Sequence, residues 1–423
     1  MTAWRDMPDA RRQPMLAPQA LHPRLREPGG SILFPVSRRE RRSASGREES
    51  PSRPGRLMEV VRLMGRLGLT SFGGPAAHVA LMEHEVVRRR AWIGRDEFLD
   101  LVALMNLIPG PNATEMAIQL GYLRARWPGF LLAGLAFILP GAILSGLLAW
   151  TYERYGAVPR LEQAFRLGIH PVVLAILVSA TWRLGRAAIR DRVWLLWGAG
   201  GLAVQLLGLD PIWVLLAAGI AALFRTRIPW SGSFLVALLA TPGATNAASV
   251  AVSQPLSVGL FFLKVGALLF GSGMVLFAFI ERDVVAMGWL TPSQLVHAIA
   301  IGQMTPGPVL SSATFIGWLL AGPAGAVAAT VGAFLPAFAI MVLVAPNVRR
   351  LRELRWAKEI LAGISAAVVG IILGVAVRIA AALVWDAGTA LLFPVALVLL
   401  ASARAPTWAI ILLGAAIGGL RIL

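Results

Sequence analysis

The 423-residue chain contains no cysteine, only five histidines and few charged residues. Without cysteine, disulfides, thiolate metal sites and thiol catalysis are excluded, and the scattered histidines offer no haem or zinc constellation. Charged residues make up 14% of the chain, against about 25% in soluble domains. No Walker A motif occurs, which argues against built-in ATP hydrolysis. The sequence therefore predicts a protein that is not an enzyme and has no cofactor or metal.

Apolar residues are what the chain has in abundance. They make up 57% of it, the mean hydropathy is +0.70, and apolar runs recur from about Leu67 to the end. The net charge is +17, but most basic residues lie between apolar segments, as the positive-inside rule describes. We therefore predict an all-α polytopic protein of the bacterial inner membrane, surrounded by lipid and without a nucleic-acid partner.

An internal repeat organises the chain. The segment Arg66–Gly74 matches Lys264–Ser272 at a spacing of 198 residues (264 − 66). The break Pro109-Gly-Pro111 returns as Pro306-Gly-Pro308 at 197 (306 − 109). Several motifs that recur in one order indicate a duplicated unit. We predict two homologous halves, as in many secondary transporters.

The repeat sets the expected domain boundaries. The first transporter repeat covers residues 58–227, and the second covers 256–423. A linker at 228–255 joins them and is long enough for one membrane span. Residues 1–57 are rich in Arg, Pro, Ser and Gly, which predicts a disordered basic tail, or a start codon assigned too far upstream.

Basic loops predict how the two halves are oriented. Three loops of the first half are strongly basic, at residues 88–95, 124–126 and 183–192. Their counterparts in the second half contain one arginine at most. The loop at 349–358 is strongly basic, whereas its first-half counterpart is milder. Opposite loops are thus basic in opposite halves, which predicts an inverted repeat. Segments 67–82 and 98–123 are basic at both ends, so we expect each to be a re-entrant hairpin.

The two Pro-Gly-Pro breaks are the expected binding elements. The first Pro interrupts a helix, and the second suits the first turn of a new one. A helix N-terminus inside the membrane offers free N–H groups and about half a positive charge, which favours an anion. The alternative is that the hydroxyl groups only bond their own helix backbone. The predicted substrate-binding residues here are Asn106, Pro109, Gly110, Pro111, Asn112, Thr114, Gln303, Thr305, Pro306, Gly307, Pro308, Ser311 and Ser312.

Three charged residues complete the predicted site. Arg66 and Lys264 occupy equivalent positions, each six residues before a Phe-Gly pair, and we expect them to bind the anion unless they snorkel to an interface. Glu115 follows the first Pro-Gly-Pro, where the second half has Ser311 or Ser312. A carboxylate repels an anion unless it is protonated, so Glu115 is the predicted proton-coupling residue, with a solvated acid as the alternative.

Four motifs in this order resemble the chromate ion transporter family in its long two-domain form. They are Ser71-Phe-Gly-Gly-Pro75, Arg89-Arg-Ala-Trp92, Asn106-Leu-Ile-Pro-Gly-Pro-Asn-Ala-Thr-Glu-Met116 and Gly302-Gln-Met-Thr-Pro-Gly-Pro308. The resemblance covers about 58–423 and implies export of chromate across the inner membrane, driven by the proton gradient and conferring chromate resistance.

Two other functions fit the same residues. A transporter for sulfate-like oxyanions would use the same breaks and cations, and an anion channel on this fold would differ only in being passive. A membrane chromate reductase is disfavoured because no redox cofactor site is visible. The sequence leaves open whether two copies form a homodimer.

Overall fold

The structure, a computed structural model, describes residues 53–106, 108, 110–156, 158–189, 191–225, 254–269, 273–348, 355–383, 385–402 and 405–422. These residues form 14 α-helices and no β-strand, which confirms the predicted all-α class. The predicted tail at 1–57 and linker at 228–255 fall outside the described residues, apart from a few residues at one end of each. Pro109 lies outside them as well.

The order of helices repeats between the halves. The first half contains α1 Arg53–Thr70, α2 Pro75–Glu83, α3 Arg95–Met105, α4 Asn112–Tyr155, α5 Pro159–Ala188, α6 Arg192–Leu206 and α7 Pro211–Arg225. The second half contains α8 Pro255–Ala267, α9 Val275–Ile280, α10 Pro292–Met304, α11 Ser312–Val344, α12 Arg355–Ala382, α13 Ala387–Ala401 and α14 Thr407–Leu420. Short π-helices follow α2 and α9, at His84–Arg89 and Glu281–Val285. A wider helical turn recurring at the same place supports a common origin of the halves.

The first two helices form a hairpin whose two ends meet. A guanidinium nitrogen of Arg66 on α1 lies 2.6 Å from the Glu85 carboxylate, just beyond α2. Nearer the open end, Arg90 lies 2.9 Å from Glu59. The helices therefore run antiparallel and turn at Ser71–Gly74, as predicted for a re-entrant segment.

A second hairpin has its open end at the same place. Trp92, which precedes α3, and Arg124 on α4 both hydrogen-bond Glu59, at 3.1 and 2.8 Å. The Arg124 guanidinium also stacks on the Trp92 ring, 5.4 Å from its centroid. The start of α3 and this part of α4 are therefore adjacent, and the Pro-Gly-Pro break between them lies at the far tip. We call this shared open end, around Glu59, the first base.

Helix α4 reverses direction where the second hairpin returns to its base. The backbone is non-helical at Ala125 and Arg126, and the equivalent reversal in α11 is at Ala321 and Gly322. Glycines on the two sides of each reversal bring the backbones into direct contact: Gly121 with Gly129, and Gly317 with Gly325. Each of these helices is therefore a short arm followed by a long, membrane-spanning arm.

The long arms connect the two halves end to end. The long arm of α4 starts at the first base and ends near Glu153, which accepts a 2.8 Å hydrogen bond from Trp318 Nε1. Trp318 lies just before the reversal of α11, at what we call the second base. The long arm of α11 runs back to Ala345, whose carbonyl accepts from Gln119 on the first half's short arm. The two bases therefore lie at opposite ends of the long arms, as an inverted repeat requires.

The remaining helices exchange partners between the halves. Helices α6 and α7 pack on α12 of the second half, and α13 and α14 pack on α5 of the first half. Glycines allow the backbones to touch, as where Gly168 meets Gly414 and Gly418, and where Gly198 meets Gly370. Within the part of the chain that the structure describes, four helical segments are long and apolar enough to cross a membrane: Asn112–Tyr155, Pro159–Ala188, Val309–Asn347 and Glu359–Ala382.

Candidate functional site

The first Pro-Gly-Pro break forms the tip of the second hairpin. Gly110 has φ 146°, a conformation that L-residues rarely adopt, and α4 begins two residues later. The backbone amides of Thr114 and Glu115 both donate hydrogen bonds to the Pro111 carbonyl. Across the break, Asn112 Nδ2 donates to Asn106 Oδ1 at 2.5 Å. The predicted helix N-terminus is therefore present, and two predicted polar residues brace it.

Glu115 lies in the first turn of that helix and is fully buried. Neither carboxylate oxygen has a hydrogen-bond partner among the described residues. A Cβ on Gly110 would collide with Oε1, so the carboxyl group lies against the tip itself. The helix N-terminus favours a negative charge here, whereas burial without hydrogen bonds disfavours it. The solvated acid that the sequence left open is not what the structure shows.

The second Pro-Gly-Pro break has a similar backbone but different side-chain bonding. Gly307 has φ 85°, and a 3-10 turn at Val309–Ser311 leads into α11. Each of the three hydroxyls here has a partner: Thr305 bonds the Ile301 carbonyl at 2.9 Å and Ser311 Oγ at 3.3 Å, and Ser312 bonds the Val309 carbonyl at 2.9 Å. This is the self-bonding alternative considered from the sequence. Gln303 contacts the Met274 sulfur at 3.8 Å.

Each tip lies against the other half of the protein. The Gly307 amide donates to the Ser71 carbonyl at 2.9 Å, so the second break touches the tip of the first hairpin. A Cβ on Gly141, in the long arm of α4, would meet the Pro306 carbonyl and lie 3.4 Å from Ser311 Oγ. Reciprocally, a Cβ on Gly110 would lie 3.6 Å from that of Ala337.

Gly141 and Ala337 are themselves equivalent positions in the two halves (337 − 141 = 196). The two breaks are thus arranged about the crossing of the two long arms, and both are far from either base. We call this region, bounded by the tips at Ser71, Gly110 and Gly307, the central junction.

The two predicted cations pair with carboxylates and not with the breaks, as far as the described residues extend. Arg66 pairs with Glu85, and Lys264 pairs with Asp283 at 3.4 Å. Their side chains are 53% and 44% exposed. The pairs are equivalent, since both members are related by 198 residues (264 − 66 and 283 − 85). To bind an anion, either cation would have to share or leave its carboxylate partner.

Sequence reasoning missed three polar residues at the central junction. Ser71 and His78 are buried, and Ser71 lies in the segment that carries both the repeat and the family resemblance. Ser145 is fully buried in the long arm of α4, and no motif marks it. A serine in a long apolar helix, with glycine beside it, is the only signal that the sequence offers. Among the described residues, no group of three or more His, Cys, Asp or Glu residues could hold a metal ion.

Two inverted helical halves, with broken helices that meet between them, have the architecture of a secondary transporter. The family model of the chromate transporter matches this chain at residues 58–223 and 256–419. These two regions correspond to the two halves. The chain belongs to the chromate transporter family, and it is a multi-pass membrane protein.

Curated relatives agree with this family. The chromate transport protein of Cupriavidus metallidurans is 33% identical over 372 residues, which cover 86% of this chain and 92% of the relative. That of Pseudomonas aeruginosa is 35% identical over 322 residues, covering 73% and 77%. The probable chromate transport protein of Synechococcus elongatus is 29% identical over 352 residues, covering 81% and 89%. No solved structure matches the chain.

Proposed function

We propose that this protein is a secondary active transporter that exports chromate across the bacterial inner membrane, coupled to protons. The observation that carries the proposal is family membership over both halves, together with relatives that are named as chromate transport proteins. The inverted architecture supports it, because alternating access in such proteins works by movement of one repeat against the other.

Glu115 is the residue that we propose for proton coupling. A buried carboxyl group without a hydrogen bond is unfavourable as an anion, and more so beside a bound dianion. Binding of a proton at Glu115 and binding of the oxyanion at the neighbouring break would therefore favour one another. The dianion and one proton would then leave together with a net charge of −1 (−2 + 1), so the inside-negative membrane potential drives their export.

The substrate-binding groups in this proposal are the two helix N-termini and the polar residues beside them. Arg66 and Lys264 contribute positive charge, because two half-charges at helix ends cannot neutralise a dianion. Since both cations have carboxylate partners, we propose that substrate competes with Glu85 or Asp283 for them. Sulfate and chromate have the same shape and charge, so a sulfate-type transporter remains the second candidate.

Transport into inverted membrane vesicles tests the proposal. Chromate should accumulate against its gradient, a protonophore should abolish the accumulation, and sulfate should compete weakly. Accumulation of sulfate with little chromate uptake would favour the second candidate. Flux that only dissipates a gradient, with or without the protonophore, would identify a channel and contradict the proposal. Vesicles without the protein provide the background.

A further inference from the structure

Unpaired polar atoms are concentrated in one half of the central junction. Buried polar groups nearly always have a hydrogen-bond partner, so a set without partners calls for a ligand or ordered water. The residues around the central junction with such an atom, counted among the described residues, are Ser71, His78, Thr114, Glu115 and Ser145. All five belong to the first half, and each is at most 1% exposed.

In the second half, the described counterparts of these five residues carry no such atom. The counterparts of Ser71 and His78 are Leu269 and Leu276 (71 + 198 and 78 + 198), and that of Ser145 is Met341 (145 + 196). All three counterparts are buried apolar residues. The counterparts of Thr114 and Glu115 are serines whose hydroxyls are already hydrogen-bonded. At the central junction, the duplicated framework therefore has its unpaired polar atoms on one side only, among the described residues.

Three of these residues surround the point where the two halves touch. The Ser71 carbonyl accepts from the Gly307 amide and also from His78 Nε2, at 3.2 Å. The His78 ring packs edge-on against Phe137, 5.8 Å away between centroids, and a Cβ on Gly307 would lie 3.3 Å from the Phe137 carbonyl. Ser145 lies one helical turn beyond the glycine that contacts Pro306.

The bonding of His78 defines its chemistry. A carbonyl oxygen can only accept, so Nε2 carries the hydrogen and Nδ1 of the neutral ring is a buried lone pair. That nitrogen can accept the O–H of a singly protonated oxyanion, or donate to a dianion when the ring gains a second proton. The hydroxyls of Ser71 and Ser145 can donate to oxyanion oxygens. Hydroxyls and an imidazole can take the place of water around a tetrahedral oxyanion.

We propose that Ser71, His78 and Ser145 contact the transported oxyanion directly, and that Pro306-Gly307 closes the site from the second half. Recognition is then one-sided, although the backbone around it is symmetric. The inference rests on the proposed function and names residues of its site that the breaks and the paired cations do not include.

Uptake by inverted vesicles at graded chromate concentrations tests this inference, with variants compared at equal membrane abundance. Ser71→Ala, Ser145→Ala and His78→Gln should each raise the apparent KM about tenfold, because each loses a hydrogen bond to a charged ligand. The maximal rate should change less than KM. A loss confined to the maximal rate would overturn direct contact.

Two replacements of His78 separate contact from support. The amide of Gln occupies the position of Nε2, so His78→Gln keeps the hydrogen bond to the Ser71 carbonyl and loses Nδ1. The shorter Asn places its amide near Nδ1 and loses that bond. If His78 contacts the oxyanion, His78→Asn should keep a KM closer to that of the wild type. The reverse ranking would show that His78 only supports the tip and would contradict its assignment.

Matched controls come from the same chain. His84→Gln changes an exposed histidine six residues away, and Thr181→Val removes a buried hydroxyl that already bonds the Leu177 carbonyl at 2.8 Å. Both should keep the wild-type KM. If wild-type vesicles do not take up chromate, the proposed function fails. If they do and the two serine variants keep a wild-type KM, this inference fails, whatever the His78 variants do.

Discussion

The two halves share a framework and differ in what they place at its centre. Both contain a cation paired across the first hairpin, a π-helix after it, a glycine with positive φ in the break and a reversal after the break. Only the first half has unpaired buried polar atoms at the central junction, among the described residues. Backbone geometry is thus retained where two halves must interlock, whereas side-chain chemistry is free to diverge.

The bases differ in a related way. At the first base and its hairpins, three carboxylates pair with six arginines: Glu59, Glu83 and Glu85 with Arg66, Arg88, Arg89, Arg90, Arg95 and Arg124. The sum is +3 (6 − 3). The equivalent network around Glu281 and Asp283, which includes Asp210 of the first half, balances (3 − 3) among the described residues, with acids Asp210, Glu281 and Asp283 and bases Lys264, Arg282 and Arg378. The positive-inside rule predicts that the more basic end faces the cytoplasm.

The strongest way to break the comparison is to test the inversion itself. Because the chain has no cysteine, single cysteines at Arg88 and Met287, both exposed, can be labelled without background. A membrane-impermeant maleimide added to intact spheroplasts should label Met287→Cys and spare Arg88→Cys, and inverted vesicles should give the opposite result. Labelling of both positions from one side would rule out an inverted repeat.

Removing the cation of the second half should have the largest effect on transport. A cation that pairs with a dianion contributes about 2–5 kcal/mol when its removal leaves the charge unpaired. Lys264→Gln should therefore lose at least about tenfold in apparent affinity and abolish chromate resistance. Lys264→Arg keeps the charge and should retain part of the activity. The measurement is uptake against chromate concentration.

Asp283→Asn controls for the ion pair, because it removes the partner of Lys264 and keeps the cation. If Lys264→Gln matches Asp283→Asn and both transport with near wild-type affinity, Lys264 is only structural. Arg66→Gln and Glu85→Gln make the same test in the first half, and a difference between the halves would sharpen the comparison.

Neutralising Glu115, the carboxyl group in which the halves differ, should change the pH dependence of transport more than the apparent affinity for chromate. Glu115→Gln imitates the protonated acid, so chromate binding should persist while transport becomes insensitive to pH. The measurement is the initial rate of uptake between mildly acidic and mildly alkaline buffers. Normal activity with an unchanged pH profile would remove Glu115 from the coupling mechanism. Glu153→Gln, at the second base, is the matched control.

The reversals offer a smaller, structural test. Arg126 has φ 56° and ψ −142°, and its counterpart Gly322 has φ 62° and ψ −157°. A residue with a Cβ is strained there by about 1–3 kcal/mol. Gly322→Ala should therefore lower thermal stability in detergent, although space for a Cβ exists. Arg126→Gly should raise thermal stability, because it relieves the strain. The gain is reduced by the loss of the contact between the Arg126 guanidinium and the Tyr122 ring. Equal melting temperatures for all three proteins would show that neither reversal is strained.

The smallest expected effect is acid sensitivity at the first base. Burial alone would raise the pKa of Glu59, but hydrogen bonds from Arg124, Arg90 and Trp92 hold it below the ordinary value. A lowered pKa contributes stability above the unfolded value, and this is lost as pH falls through the folded value. Glu59→Gln should lower stability at neutral pH by about 1 kcal/mol and flatten the loss below pH about 4.5. Melting temperature against pH in detergent measures it, and an identical acid limb in both proteins would contradict the assignment.

Much of the framework could be predicted because it depends on local sequence. Pro-Gly-Pro interrupts any helix, so the breaks at Gly110 and Gly307 follow from three residues each. The repeat was visible because equivalent residues keep their order, and the charge of the loops predicted the inversion. The hairpins could be predicted because segments 67–82 and 98–123 are basic at both ends, whereas a simple span would put one basic end outside.

The candidate site was predicted only in part. The sequence identified Glu115 as the residue in which the halves differ, but not that both of its oxygens lie buried without partners. It identified Lys264 as an unusual charge in an apolar run, but not its pairing with Asp283. Ser145 lies in no motif, and its only signal is a neighbouring glycine in an apolar helix. The sequence pattern around a polar residue in an apolar helix is the same whether its side chain bonds its own backbone, a ligand or a neighbouring helix.

The sequence by itself determined the duplicated helical framework and the places where it breaks, because proline, glycine and apolar periodicity act within a few residues. Only the tertiary structure decided that Gly307 meets Ser71, that the long arms cross between the tips, and which hydroxyls remain unpaired. Those features depend on residues far apart in the sequence, 236 positions for Gly307 and Ser71 (307 − 71) and 165 for Pro306 and Gly141 (306 − 141). Their contact is set by close packing of glycine-rich surfaces, which no local pattern encodes.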